Sequence, residues 1–152
     1  MSNRVEKAKE LFVSGYTCSQ AVLLAFSDVT GLDDAVAAKL ASGFGGGMGG
    51  LRNVCGAVTG MIMAANMLYG FDIPGNQEHK TALYNGSRSL AEAFEEQQGT
   101  LLCKELLAHL PGKLSADPAV RDDAYYKVRP CALYVAEAVQ LLEAYMQEVE
   151  PV

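Results

Sequence analysis

The chain has 152 residues, 50% hydrophobic and 20% charged, with a formal net charge of −6. This suits one globular domain over 1–152 with a sizeable core, and excludes a disordered chain. No basic run is long enough to hold phosphates and there is no tryptophan to stack on a base, so nucleic acid is not an expected partner.

The start, MSNRVEKAKELF, has no apolar signal core and reads as a charged amphipathic helix. The longest apolar run, Ala57 to Leu68, is shorter than the roughly 20 residues that span a bilayer, so no membrane insertion is expected. The expected location is the cytoplasm. Thiols there stay reduced, so cysteines serve more often as metal ligands or redox groups than as permanent cross-links.

Helix signals follow one another, and no alternating β-branched run suggests a strand. Asn3 to Ser14 carries Val5, Ala8, Leu11 and Phe12 at helical spacing, and Gly15 stops it. Thr17-Cys18-Ser19-Gln20 matches a capping box that opens a second helix to about Val29, burying Val22, Leu23 and Phe26. Gly31 breaks it. Asp33 or Asp34 caps a short third helix with Val36 and Leu40 inward.

Gly43 to Gly70 follows: GFGGGMGGLRNVCGAVTGMIMAANMLYG. Glycine at this density is kept where backbones come very close or adopt positive φ. The run behind it (Val58, Met61, Ile62, Met63, Ala64, Met67, Leu68) is apolar on every side, which predicts a buried central helix from about Asn53 to Tyr69.

Pro74-Gly75 is a turn, and Asn76 starts an amphipathic helix to about Gln98 with the stripe Leu83, Leu90, Ala93 and Phe94. Gly86 and Ser87 leave room for a close neighbour. Thr100 caps Leu101 to Leu110, which Pro111-Gly112 ends. The segment 113–129 is least legible, with a turn at Asp117-Pro118 and a short helix after it. Pro130 opens the last helix, to about Val149, with Leu133, Val135, Ala138, Leu142 and Tyr145 inward. The expected fold is all-α, a compact bundle of six or seven helices around the central one.

Cys18, Cys55, Cys103 and Cys131 are the four cysteines. No Cys-x-x-Cys occurs, which excludes thioredoxin and zinc-finger spacing. Each falls in the first turn of an expected helix, where free amides and the helix dipole favour a thiolate. Four thiolates facing one point would hold a cation or an iron–sulfur cluster. The sulfides of a cluster need N–H donors nearby, for which Gly46, Gly47, Gly49, Gly50 and Gly56 are the candidates. The plain alternative is that the cysteines are small buried hydrophobes.

Cys55-Gly56-Ala57-Val58-Thr59-Gly60 resembles the Cys-Gly-Ala-x-x-Gly motif of the C_GCAxxG_C_C family. Tyr16 to Leu23 around Cys18, Gly99 to Cys103, and Arg129 to Leu133 around Cys131 are similar to its other cysteine segments. The resemblance implies redox activity with no established reaction. Some members carry selenocysteine at a cysteine position. A similar domain in a multihaem cytochrome is ascribed an iron–sulfur cluster. Without Cys-x-x-Cys-His, this chain would carry no covalent haem.

Gly45-x-Gly47-x-x-Gly50 formally matches the dinucleotide fingerprint, but no strand precedes it. His79 and His109 are isolated, the methionines at 61, 63 and 67 share no single helical face, and Tyr125-Tyr126 reads as a docked loop. The leading expectation is thus a redox protein whose four cysteines bind an iron–sulfur cluster, most simply a two-iron one, and exchange electrons with an unknown redox partner. The reading does not choose between an electron carrier and an oxidoreductase. One alternative is a metal-free thiol–disulfide oxidoreductase with Cys55 as the low-pKa thiolate and another cysteine resolving. Another is a binding protein with a four-cysteine zinc site. A homo-oligomer through the exposed glycine loop is left open.

Overall fold

The computed structural model describes residues 2–151. Ser2 Oγ accepts from the Val5 amide to begin α1 (Asn3–Val13), and Thr17 and Gln20 form the expected reciprocal capping box at the head of α2 (Cys18–Ala25). Then come α3 (Ser27–Thr30), α4 (Asp34–Ala41) capped by Asp33, a 3₁₀ turn Ser42–Phe44, and the short α5 (Gly45–Met48). After α6 (Gly56–Tyr69) and α7 (Gln77–Gln98), the chain forms α8 (Cys103–Leu106), α9 (Asp123–Val128) and α10 (Cys131–Glu148). The fold is all-α, with six helices of eight or more residues and no strand among the described residues.

The core is shared by α2 and α6, which pack on each other and on α10, with α1 and α4 against α2 and α7 against α6. Nearly all of α2 beyond its first turn is buried. It crosses α6 at Gly60, where an added Cβ would lie 2.6 Å from the Ser19 carbonyl oxygen. Phe12, Phe26, Phe94, Leu23 and Met61 are fully buried, each contributing about 1.5–3 kcal/mol relative to exposure. Ser19 is buried too, and its hydroxyl donates to the Ala41 carbonyl at 2.8 Å, tying α2 to α4.

Several expectations needed correction. The second helix breaks at Phe26, whose amide bonds back to Leu23 O, while the Ser27 hydroxyl donates to Leu24 O. In α4 the faces are exchanged: Val36 and Leu40 are 48% and 53% exposed, and Ala37 and Ala41 are buried. The small residues win because α4 lies close enough to α2 for Gln20 Nε2 to donate to Ala38 O. The central helix is not buried all round, since Met67 is 47% exposed. In α10, Leu133 faces solvent, whereas Val135, Ala138 and Leu142 are buried as expected. Tyr145 is half-buried, stacked edge-on to Tyr69 and pressed against Gly86, the small position foreseen for a neighbour.

The expected starts of two helices are also displaced. Val54 and Leu102 are extended and pair in an isolated antiparallel bridge, with residues 53–55 set against 101–103. The Cys55 amide donates to Leu101 O at 2.8 Å and the Cys103 amide to Asn53 O at 2.7 Å. So α6 begins at Gly56 and α8 at Cys103, later than the sequence suggested, and α8 stops at Leu106.

Candidate functional site: a four-cysteine cavity

Local structure places every cysteine at the start of a helix. Cys18, Cys103 and Cys131 are the first residues of α2, α8 and α10, and Cys55 is the N-cap of α6. The bridge brings the segments of Cys55 and Cys103 together, and the crossing of α2 over α6 sets Cys18 beside Cys55. An added Cβ at Gly56 would lie 2.7 Å from Cys18 Sγ, so the motif glycine is what lets the two cysteines approach. All four side chains line one cavity of about 250 Å³, against roughly 30 Å³ of liquid volume for one water. None is in a disulfide.

The glycine loop makes one wall. Gly46, Gly49, Gly50 and Gly56 line the cavity. Gly47 does not: it is buried behind the wall, where an added Cβ would lie 2.6 Å from the Asn53 amide nitrogen. Left-handed φ runs through Gly46, Gly47, Met48, Gly49 and Gly50, so the loop holds the dihedrals that its composition suggested. His79 and His109 stand apart, bonded to the Tyr69 and Val128 carbonyls. Tyr125 lines the cavity from α9, and Tyr126 docks edge-on to Phe12.

Charge is concentrated here. Three of the chain's five arginines, Arg52, Arg121 and Arg129, line the cavity, with Asp117 the one acidic residue of its wall. Arg121 donates to the Phe12 and Tyr16 carbonyls and lies over Tyr125, as does Arg129. Sequence reasoning passed over all three, because no spacing signal links them.

The thiols are unequal. A hydrogen bond from Cys55 holds Cys18 below its usual range, at about 6, against the opposing cost of burial; the Gly46 and Ser19 amides and the Arg121 charge assist. That bond and burial hold Cys55 well above its ordinary value. Cys131 is pushed up to about 12 by burial and by the Cys18 charge. So Cys18 and Cys55 form one hydrogen-bonded thiol pair, in which a single thiolate is stabilised by its neighbour's proton. The Gly46 amide thus reaches the Cys18 sulfur.

Fold and cavity together define a class: an all-α protein with a four-thiol centre. The chain belongs to the family described as "Putative redox-active protein (C_GCAxxG_C_C)", whose model matches residues 16–145 and so spans all four cysteines. No curated protein and no solved structure matches the chain. No described helix is long and apolar enough to cross a membrane.

Proposed function

We propose that the cavity takes up an iron–sulfur cluster through Cys18, Cys55, Cys103 and Cys131, and that the protein carries single electrons. The observation that supports this most is the convergence of four thiols from four helix starts on one cavity. Among the described residues, no three Cys, His, Asp or Glu side chains sit close enough together to hold a single ion. A mononuclear zinc centre draws each sulfur to about 2.3 Å from the metal. A cluster keeps its ligands further apart and suits soft thiolate donors. It would supply a reversible one-electron couple. The chain's part is to hold four thiolates with helix-start amides and to present glycine amides to the sulfides. The guanidinium groups offset negative charge.

The test is anaerobic purification from an iron-replete host, with iron, zinc and acid-labile sulfide measured beside a visible spectrum. Iron and sulfide in equal amounts, with bands that bleach on reduction and vanish in Cys103→Ser, are expected. A protein that stays colourless after reconstitution would refute the reading.

The contact between Cys18 and Cys55 favours a second reading, a thiol–disulfide exchanger. The Cys18 thiolate would attack a substrate disulfide and expel one thiolate. Cys55, losing its proton to that thiolate, would then attack the mixed disulfide. The substrate leaves as a dithiol and the protein keeps a Cys18–Cys55 disulfide, two electrons having passed to the substrate. Metal-free protein treated with a small disulfide should yield a Cys18–Cys55 cross-linked peptide. Cross-links to Cys131 instead would count against the pair.

A further inference from the structure

Arg52 occupies a position that local conformation would give to glycine. Its φ is +60°, in the left-handed region that most residues avoid. The backbone is pinned there from both sides: the Arg52 amide donates to Gly46 O at 3.0 Å, and Arg52 O accepts from the Lys104 amide at 3.1 Å. A long, charged side chain kept at a strained position points to a task for that side chain.

Its contacts say what the task is. Nη1 donates to Cys103 Sγ at 3.5 Å. Nη2 donates to the Ser115 carbonyl at 2.8 Å, in the irregular segment that supplies part of the cavity wall. There Ala116 presses on Gly50, and the segment's residues 116–119 line the cavity. Nε is buried and has no partner among the described residues. A buried guanidinium nitrogen without an acceptor is costly unless an anionic group completes it. Of the three arginines lining the cavity, Arg52 has the sulfur contact.

We propose that Arg52 is a positioning residue that clamps the Cys103 sulfur to the wall segment 111–120 and, by its charge, sets the potential of the centre. The potential part rests on the cluster reading above; the clamp does not. A cation at a ligand sulfur favours the reduced, more negative state, and hydrogen bonds to the sulfurs are among the main determinants of potential. Removing the guanidinium makes reduction harder. The wall segment is tied to the same group, since one planar fork bonds both the sulfur and that backbone.

The variants are Arg52→Gly, Arg52→Gln and Arg52→Lys, with Lys104→Gln as a control for an exposed neighbouring cation. Arg52→Gly suits the left-handed backbone and so should fold at least as well as the parent, which separates loss of function from loss of structure. Two readouts apply. In protein carrying the cluster, the midpoint potential should fall in the Gly and Gln variants by about tenfold in the reduction equilibrium, about 59 mV for one electron. It should stay closer to the parent in the Lys variant and unchanged in Lys104→Gln. In metal-free protein, limited trypsin cleavage at the exposed Lys113 should quicken several-fold in Arg52→Gly. An unchanged potential in Arg52→Gly, or an equal fall in Lys104→Gln, overturns the tuning role. If the parent takes up no cluster, the cluster reading falls by itself, and proteolysis decides: parent-like cleavage at Lys113 in Arg52→Gly overturns the clamp, and faster cleavage upholds it.

Discussion

Gly56 controls the site with one missing methyl. A Cβ there would stand 2.7 Å from Cys18 Sγ and 3.0 Å from Phe44 O. Gly56→Ala should therefore push Cys18 away from Cys55 and cost about 1–3 kcal/mol as overpacking. Thermal unfolding would read the stability, and iron content the site; a variant matching the parent in both would contradict this account. The unequal thiols give a second residue-scale expectation. Cys18 sits at about 6 and Cys131 at about 12, so metal-free protein at pH 7 should be alkylated by iodoacetamide at Cys18 and spared at Cys131. The Cys18 rate should fall as pH drops through about 6, when the thiolate takes up its proton. Labelling of Cys131 first, read by peptide mapping, would reverse the assignment. The cysteines themselves were legible, because caps and turn residues mark helix starts. Which cysteine ionises was not, since that depends on who donates to whom across α2 and α6.

Between elements, the strongest constraint is the crossing of α2 and α6. Gly60→Ala places a methyl 2.6 Å from the Ser19 carbonyl, backbone that cannot rotate aside. The expected loss is about 1–3 kcal/mol, measured by denaturant unfolding. A neutral outcome would mean that the helices can part without penalty. Helix type and order were readable from the 3.6-residue period. The inward face of α4 was not: hydrophobicity nominates Val36 and Leu40, whereas close approach to α2 selects Ala37 and Ala41. The bridge between 53–55 and 101–103 left no trace in the sequence either. It pairs segments whose own pattern reads as helix, and only the fold brings them together.

At the scale of the whole molecule, Arg4 ties three elements, bonding Asp28 of α3 at 2.7 Å and Glu143 of α10 at 3.0 Å. The Arg4 guanidinium holds the Asp28 carboxyl below its usual range, so the contribution is present above the ordinary Asp value of 3.8 and fades as pH falls through the lowered one. Asp28 is 59% exposed, so solvent screening limits the pair to about 0.2–1 kcal/mol. Asp28→Asn should lower stability slightly at pH 7 and leave it unchanged near pH 2; an equal loss at both would remove the ionic explanation. The sign of the net charge, −6, says little about the cavity, whose wall is locally cationic.

The four cysteines come from four separated stretches of the chain, the last at Cys131. No fragment shorter than 18–131 contains all four, so the complete set of thiols exists only once most of the polypeptide has been made. The cavity they line is a product of the closed bundle, and a protein that misfolds anywhere between α2 and α10 loses it as a whole.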